Sequence, residues 1–272
     1  MRLLVSREHK KDDTVVKIGN ISIGDGSLCM IAGPCTIESF KQLHCVASGL
    51  SKLNIDILRA GAFKPRTSSY FFQGMGAKGL DILSEVKSEF GTPTVSEIVD
   101  IADLSLFDDV DILQVGAKNM QNYALLRKLG MQEKPVLLKR GWSNTIDEFL
   151  ESAEYIYREG NHNIILCERG IRTFEPSARN SFDINAIPIL KSKTHLPVIG
   201  DPSHGTGISE LVMPVSLAIV AAGADGLMIE VHENPECALC DGRQAITLDE
   251  YEILENRVKI YEKIRNFDNS SL

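Results

Sequence analysis

A basic loop is the first stretch of the sequence whose residue types suggest chemistry. The segment Arg59–Gly76, RAGAFKPRTSSYFFQGMG, follows a short apolar run and places Arg59, Lys64 and Arg66 within eight residues. Glycine and proline interrupt any helix here, so the three cations lie on a loop at the end of a predicted strand. Arginine offers a planar fork that binds phosphate or carboxylate through two hydrogen bonds. Such charges usually belong to a solvated loop, but an anion site becomes the better interpretation if similar groups follow other strands.

Cationic side chains do recur after later apolar runs, each of which predicts a strand. They are Lys118 after the fourth predicted strand, Lys139 and Arg140 after the fifth, and Arg169 and Arg172 after the sixth. The whole chain is nevertheless acidic, with a net charge of -8 and a pI of about 5.3, which argues against general nucleic-acid binding. Clustered cations in an acidic chain favour a local site for one or two anionic groups, most simply phosphates. For Arg140 alone, an ordinary surface charge is the better interpretation.

A second group of residues has the donor types of a metal site. They are Cys35 at the end of the first predicted strand, His204 after the seventh, Glu230 in the eighth and Asp241 after it. A thiolate, an imidazole and two carboxylates together suit a divalent ion such as Mn, Fe, Co, Zn or Cu. Taken singly, a buried cysteine is more often a small apolar core residue. The pair Cys237-x-x-Cys240 has no second pair, so it does not predict a structural zinc site.

The apolar pattern of the chain repeats in units of one short strand followed by one helix. Eight runs rich in Val, Ile and Leu have the composition of strands that are covered on both faces. The predicted strands are Leu28–Ala32, Ile55–Leu58, Pro93–Val95, Ile112–Val115, Val136–Lys139, Ile164–Cys167, Pro197–Ile199 and Gly226–Val231. The helices expected after them are Glu38–Leu53, Lys78–Glu89, a helix ending near Leu106, Met120–Leu129, Thr145–Glu159, Ile184–Lys193, a helix that follows the loop Asp201–Gly207 and ends near Ala222, and Leu248–Ile264.

This repeat predicts an α/β fold, a single (β/α)8 TIM barrel whose active-site residues lie on the loops after the strands. The alternative is an open doubly wound sheet, although no Gly-x-Gly-x-x-Gly turn follows the first strand. Ahead of the barrel we expect a polar tail over residues 1–13 and a short β-hairpin over residues 14–24. The catalytic domain that contains the hairpin and the barrel is expected to cover residues 14–266, with no appended regulatory domain.

Length and composition are those of one globular domain. The chain has 272 residues, of which 43% are hydrophobic and 24% charged, and α/β barrels of this size are common. Its longest apolar stretch, Leu211–Ala222, contains Pro214 and is too short to span a bilayer. The amino-terminal residues have no apolar signal core. The six cysteines are dispersed, which favours a reducing, cytoplasmic setting.

Six longer motifs follow one another along the chain. They are IAGPCTIES (31–39), RAGAFKPRTS (59–68), VLLKRG (136–141), LCERGIRTFE (166–175), DPSHGTG (201–207) and MIEVH (228–232). In this order they closely resemble the 3-deoxy-D-arabino-heptulosonate 7-phosphate (DAHP) synthases of type I beta, a branch related to the 3-deoxy-octulosonate 8-phosphate synthases. The resemblance covers about residues 15–264. It implies a (β/α)8 barrel and the first step of the shikimate pathway, a metal-dependent, aldol-like condensation of phosphoenolpyruvate with erythrose 4-phosphate.

The resemblance also implies a role for individual residues, position by position. The implied ligands of the divalent metal are Cys35, His204, Glu230 and Asp241. Phosphoenolpyruvate binding falls to Arg59, Lys64, Lys118, Lys139, Arg169 and the backbone of Gly116 and Ala117. Erythrose 4-phosphate binding falls to Pro65, Arg66 and Thr67, with Ser203 in the same mouth. The implied catalytic residues are Lys64, Glu97, Asp201 and His204, of which Glu97 and Lys64 are the candidates for activating the attacking water.

Two positions depart from the family pattern. Lys118 stands where most relatives have Arg, and Arg243 stands where they often have a small residue or proline. Lysine lacks the fork of arginine, so one phosphate contact is expected to be weaker. The ferredoxin-like and chorismate mutase extensions of many relatives have no counterpart in this sequence. We therefore expect millimolar aromatic amino acids to leave the rate nearly unchanged.

Two other functions stay open from the sequence alone. One is condensation with arabinose 5-phosphate, but the sister family that does this typically has Asn-Arg-Ser where this chain has Pro65–Arg66–Thr67. The other is a non-catalytic phosphate-binding regulator, which the full set of metal-type and cationic residues disfavours. By analogy with relatives we expect a homodimer or homotetramer. Neither nucleic acid nor a membrane is expected as a partner.

Overall fold

The chain begins its regular structure with a short antiparallel hairpin. A computed structural model describes residues 3–53 and 55–270. Strands β1 (Val16–Ile18) and β2 (Ile21–Ile23) pair with each other, and Val16 lies opposite Ile23. Both strands fall within the hairpin expected over residues 14–24, so that prediction is confirmed.

Eight further strands form a closed barrel in the described part of the chain. Each pairs in parallel with its neighbours in chain order, and the last pairs with the first. They are β3 (Cys29–Gly33), β4 (Ile57–Arg59), β5 (Thr94–Glu97), β6 (Ile112–Val115), β7 (Val136–Lys139), β8 (Ile164–Glu168), β9 (Val198–Gly200) and β10 (Gly226–Glu230). All eight overlap the predicted strands. The (β/α)8 barrel is therefore confirmed, and the open doubly wound sheet is wrong.

Alternation along the strands decides which residues reach the barrel interior. In β4, Ile57 belongs to the apolar cluster inside the barrel, whereas Leu58 packs outward with the helices. The next residue, Arg59, therefore faces the interior at the carboxyl end of the strand. The same period of two places three other charged side chains at this inner edge: Glu97 of β5, Lys139 of β7 and Glu230 of β10.

The hairpin covers the opposite end of the barrel. Val16, Ile18 and Ile23 share the interior cluster with the first residues of several barrel strands, among them Cys29 and Ile112. The amino-terminal ends of the strands are thereby closed by apolar side chains. The carboxyl ends remain as the open mouth, where residues of (β/α)8 active sites lie.

Residues 3–14 pack along the outside of the barrel. Val5 is buried, and Ser6 forms an antiparallel bridge with Thr194. The Thr14 amide donates to the His195 carbonyl at 2.7 Å. These contacts hold the segment that leads into the hairpin against the turn before β9.

Helices follow the barrel strands and cover their outer face. The α-helices are α1 (Phe40–Leu50), α2 (Ala77–Phe90), α3 (Tyr123–Gly130), α4 (Ile146–Arg158), α5 (Ala186–Lys193), α6 (Pro202–Thr206), α7 (Ser209–Ala221) and α8 (Leu248–Ser270). Short 3-10 helices cover Ile101–Phe107, Ala117–Asn119, Pro235–Cys237 and Gly242–Gln244. Of the helices in the described ranges, none is long and apolar enough to cross a membrane.

Two helical segments differ from expectation. The helix expected to end near Leu106 is the single 3-10 helix Ile101–Phe107. The expected loop Asp201–Gly207 contains α6, because Asp201 caps its first turn by accepting from the His204 amide at 2.9 Å. Gly207, with a φ of 72°, ends α6 in the left-handed conformation. This short helix fixes the position of His204 at the barrel mouth.

Candidate active site

Four side chains of metal-ligand type meet at the mouth of the barrel. One donor atom from each of Cys35, His204, Glu230 and Asp241 lies within 4.8 Å of the others. We call this group the four-residue cluster. Cys35 and His204 are buried and Glu230 is fully enclosed. The fold therefore brings the predicted ligands together, while ligation itself stays a prediction.

The donor set and its spacing fit a divalent ion. Ligand bonds of about 2.0–2.3 Å place the donors of one ion at most about 4.6 Å apart, close to the observed limit of 4.8 Å. Burial lowers the pKa of His204 to about 4, so its imidazole is neutral near pH 7. Its Nδ1 lies 2.8 Å from Asp201 Oδ2 and must carry the proton, because a carboxylate only accepts. Nε2 is then a bare acceptor 3.1 Å from Glu230 Oε1, an arrangement that a cation stabilises.

Asp241 is held in an unusual backbone conformation. Its φ of 54° lies in the left-handed region, which no other non-glycine residue adopts in the described ranges. Such a conformation costs about 1–3 kcal/mol, and aspartate tolerates it better than most residues. Burial opposes the charge of the carboxylate, but Lys64, His204 and Arg179 hold the pKa of Asp241 well below its usual range. A strained backbone that presents an ionised carboxylate is typical of a functional site.

Two buried ion pairs support the cluster. Arg59 Nη1 donates to Glu230 Oε1 at 2.7 Å, and Lys139 Nζ donates to Asp201 Oδ2. Burial opposes the charge of Glu230, yet His204 and Arg59 together lower the pKa of its carboxyl. Burial likewise opposes the charge of Asp201, but His204 and Lys139 hold its pKa well below the usual range. Both carboxylates therefore stay ionised in the folded protein.

Lys64 connects the four-residue cluster to a neighbouring pocket. Its Nζ lies 2.7 Å from Cys35 Sγ and 3.0 Å from Asp241 Oδ2. Burial opposes its charge, but Cys35 and Asp241 raise the pKa of Lys64 well above the usual value, so the side chain remains an ammonium. The same side chain lines the neighbouring pocket.

This pocket has a volume of about 490 Å³, and His204, a member of the cluster, lines it together with Lys64. Of the described residues that line it, seven are lysines or arginines and one, Glu97, is a carboxylate. The cations are Lys64, Arg66, Lys118, Lys139, Arg169, Arg172 and Arg179. We call this space the cationic pocket. Such an excess of positive charge suits a ligand with more than one anionic group.

Comparison with known proteins agrees with this geometry. The model of the DAHP synthetase I family matches residues 7–266. The chain belongs to the DAHP synthetase I family. It is 50% identical over 257 residues to a phospho-2-dehydro-3-deoxyheptonate aldolase of Thermotoga maritima. The aligned region covers 94% of this chain and 76% of that protein.

Two solved DAHP synthase structures and an aldolase with a different name are also similar to this chain. The crystal structure of a DAHP synthase from T. maritima has a TM-score of 0.94 at 48% identity, over 97% of this chain and 77% of that one. A truncated form from the same organism has a TM-score of 0.90 at 46% identity, over 96% of both chains. A 2-dehydro-3-deoxyphosphooctonate aldolase of Geobacter sp. (strain M21) is 35% identical over 273 residues, covering 92% of this chain and 98% of that protein.

Most residues expected from the sequence to bind phosphoenolpyruvate line the cationic pocket. They are Lys64, Gly116, Ala117, Lys118, Lys139 and Arg169. Arg59 is not among the lining residues; it is buried and donates to Glu230. A Cβ at Gly116 would lie 2.0 Å from Glu97 Oε1, so the carboxylate of Glu97 packs against bare backbone. Glu97 also accepts a hydrogen bond from Gln114 Nε2 at 3.2 Å.

The segment expected to hold erythrose 4-phosphate also lines the pocket. Pro65, Arg66 and Thr67 all contribute to its wall. Arg66 Nη1 lies 3.0 Å from Cys240 Sγ and 3.5 Å from Asp241 Oδ1, so it points toward the cluster. Ser203 does not line the pocket; it is fully buried and its Oγ accepts from the Glu230 amide at 3.0 Å. The roles of these residues in binding stay predictions.

Arg140 differs from expectation. The sequence favours an ordinary surface charge at this position, but the side chain is buried, so that interpretation is wrong. Its Nη1 donates to Glu168 Oε2 at 2.8 Å and to Asp183 Oδ2 at 3.0 Å. Arg140 directly follows the inward-facing Lys139, so its side chain lies on the other side of the strand, where it contacts these two carboxylates.

Sequence reasoning missed three residues of the site. Trp142 lines the cationic pocket, and the guanidinium carbons of Arg169 and Arg172 lie 5.8 Å and 5.5 Å from its ring centroid. Arg179 lines the same pocket from the long loop after β8, and Gln244 binds Glu230. Trp142 follows the VLLKRG motif and Gln244 follows Asp241 by three residues, so closeness to motifs was an available signal. Arg179 has no such signal.

Proposed function

We propose that this chain condenses phosphoenolpyruvate with erythrose 4-phosphate and water to give DAHP and inorganic phosphate. The observation that carries the proposal is the meeting of the four-residue cluster with the cationic pocket: His204 belongs to both, and Lys64 lines the pocket and contacts Cys35 and Asp241 of the cluster. Both substrates carry a phosphate, and phosphoenolpyruvate adds a carboxylate, which accounts for the many cations. The 50% identity with the T. maritima enzyme supports the same activity.

Phosphoenolpyruvate fits the inner wall of the pocket. Lys139 and Arg169, both buried, would contact its anionic groups together with Lys64. Lys118 and the backbone at Gly116 would complete this surface. Several charged contacts to phosphate and carboxylate hold one face of the enol toward the second substrate and offset charge as it develops.

Erythrose 4-phosphate would bind on the side of the pocket where Arg66 lies next to the four-residue cluster. The groups that would hold a divalent ion are Cys35, His204, Glu230 and Asp241. When bound, an ion such as Mn, Fe, Co, Zn or Cu supplies Lewis acidity that polarises the aldehyde carbonyl. Arg66 lies 3.5 Å from Asp241 in this structure, so the sugar phosphate would replace that carboxylate as its partner.

The reaction needs one new C–C bond and the addition of one water. C3 of phosphoenolpyruvate attacks the aldehyde carbon, and water adds to C2. Phosphate then leaves from C2 with cleavage of its C–O bond, so that one water is consumed for each phosphate released. Our two candidates for activating that water are Lys64 and Glu97, a carboxylate that lines the pocket.

Condensation with arabinose 5-phosphate is the competing function. The observation in its favour is the 35% identity with a 2-dehydro-3-deoxyphosphooctonate aldolase over 92% of this chain. Against it stands the segment Lys64–Thr67, where Pro65 fixes its own φ and favours an extended backbone at Lys64. A stiff backbone limits how far the Arg66 side chain, now 3.5 Å from Asp241, can move away from the cluster, and we expect its reach to suit a four-carbon chain.

Phosphate release from phosphoenolpyruvate, measured with each aldose phosphate, tests the proposal. A five-carbon substrate would lose one charged contact, which costs about 1.5–3 kcal/mol, or roughly tenfold to hundredfold. We therefore expect kcat/KM for erythrose 4-phosphate to be at least about tenfold higher than for arabinose 5-phosphate. Equal use of the two aldoses would refute the role of the Lys64–Thr67 segment. No phosphate release with either would refute the activity.

Metal dependence is tested with the same assay. Chelation should abolish turnover, and added Mn²⁺ or Co²⁺ should restore it. Cys35→Ala should bind metal poorly while keeping the fold, because Cys35 lies at the mouth rather than in the barrel interior. Cys45→Ala is the matched control, since Cys45 is exposed on α1 and lies outside the cluster. Full activity of metal-free protein would contradict this part of the proposal.

A further inference from the structure

Gln244 bridges a carboxylate of the four-residue cluster to an arginine of the cationic pocket. Its side chain is buried, its Nε2 donates to Glu230 Oε2 at 2.6 Å, and its Oε1 accepts from Arg179 Nη1 at 2.9 Å. The amide can take only this orientation, because a carboxylate only accepts and a guanidinium only donates. The conformation of Gln244 therefore decides where Glu230 Oε2 lies.

The two oxygens of Glu230 have different surroundings. Oε1 lies 2.7 Å from Arg59 Nη1 and 3.1 Å from His204 Nε2. Oε2 points away from these groups to Gln244. The carboxylate is thus held at both ends, and Oε1 is the oxygen turned toward the other members of the cluster.

Arg179 also contacts Asp241 and the end of α6, the helix that carries His204. Its Nη1 lies 3.5 Å from Asp241 Oδ1. Its backbone N–H donates to the Thr206 carbonyl at 2.8 Å. A Cβ at Gly207, the residue that ends α6, would lie 2.4 Å from the Arg179 Cβ, so Arg179 packs directly on the end of the helix that carries His204. The side chain is 44% exposed and also lines the cationic pocket.

We infer that Gln244 and Arg179 are positioning residues of the metal site, which hold Glu230 and Asp241 in the geometry that binds the ion. Arg179 also links that geometry to the cationic pocket, because it lines the pocket wall. The inference rests on the proposed function, since it requires the four-residue cluster to bind a divalent ion. Groups that orient metal ligands in this way typically contribute roughly 10–100-fold to metal affinity.

Two possible roles of Arg179, as a charge and as a positioning residue, predict opposite effects of its removal on the affinity for a divalent cation. If charge alone mattered, removing a cation 3.5 Å from Asp241 would tighten the binding of a divalent cation. If positioning matters more, Arg179→Ala weakens that binding. Gln244→Met changes no charge and nearly preserves side-chain volume, so weaker binding in this variant reports the orientation of Glu230.

The test is a metal titration of chelator-treated protein. Binding of Mn²⁺ is measured by calorimetry, and binding of Co²⁺ is measured by its thiolate charge-transfer absorption. We expect Gln244→Met and Arg179→Ala each to weaken binding roughly 10–100-fold. The loss in the double variant should be smaller than the product of the two single losses, because both residues act along one chain of contacts. The cobalt absorption band should also shift in Gln244→Met, which a general loss of stability would not cause.

Arg172→Ala is the matched control. Arg172 lines the same pocket from the same loop but stacks on Trp142. Its removal should leave the affinity for Mn²⁺ within about twofold of wild type, because Arg172 is exposed and an exposed charge is screened. Wild-type protein that binds no ion would refute the proposed function, whereas wild-type binding that Gln244→Met leaves unchanged would refute this inference alone. If Gln244→Met does not fold, Arg179→Ala decides, because its side chain is 44% exposed.

Discussion

Asp201→Asn removes one charge from a fully buried part of the site. Asp201 is fully buried, and its Oδ2 accepts from Lys139 Nζ and His204 Nδ1. Its Oδ1 caps α6 by accepting from the His204 amide at 2.9 Å. Asparagine keeps the capping oxygen but presents an amide N–H group to two donors. Lys139 is then a buried cation without its carboxylate.

The cost of this change follows from burial. Removing one partner of a buried ion pair destabilises a protein by about 3–5 kcal/mol. A domain of this size loses roughly 2–4 °C of melting temperature per kcal/mol, so the melting temperature should fall by about 6–20 °C. The affinity for a divalent ion should fall as well, roughly 10–100-fold, because the Asp201 contact holds the His204 tautomer that leaves Nε2 free.

Calorimetric unfolding of chelator-treated protein measures the first effect. Asp183→Asn is the control: Asp183 accepts from Arg140 at 3.0 Å, but Arg140 keeps Glu168 at 2.8 Å as a second partner. This variant should lose about 1 kcal/mol or less. The argument from the buried pair would be refuted by an Asp201→Asn variant that melts within about 2 °C of wild type while the control behaves as expected.

Three further predictions concern single groups of the site. Arg66→Ala should raise the KM for erythrose 4-phosphate at least about tenfold and that for phosphoenolpyruvate far less; a defect confined to phosphoenolpyruvate would contradict its role. Oxidation of metal-free protein should join Cys35 to Cys240, whose sulfurs lie 3.5 Å apart, and peptide mass mapping should find that pair rather than another. The free energy of unfolding of metal-free protein should fall as the pH is lowered from about 6.5 toward 4, because burial lowers the pKa of His204 to about 4 and the unfolded chain takes up the proton first. Urea unfolding near neutral and mildly acidic pH measures this, and His204→Gln should show a smaller dependence.

The barrel and its mouth could be predicted from the sequence because both depend on periodic patterns. A strand covered on both faces must be apolar throughout, so eight such runs stand out from the helices between them. Parallel strands in a barrel bring all their carboxyl ends to one face. The alternation Ile57, Leu58, Arg59 then turns the arginine inward, and the same logic places Lys139 and Glu230 beside it. The family motifs add residues on the loops, such as Cys35, that no periodicity marks.

Which groups pair with which was decided only by the tertiary structure. Arg179 contacts Gln244, which lies 65 residues further along the chain, and Gln244 turns back onto Glu230 at the end of β10. The inward turn of Arg66 toward Cys240 depends on distances of a few ångströms set by loop conformation. Loops have no repeating pattern that reports their path. The sequence alone therefore determines which charged groups of the strands reach the mouth, and the packing of the loops decides which others, such as Arg179, join them and which carboxylate each cation meets.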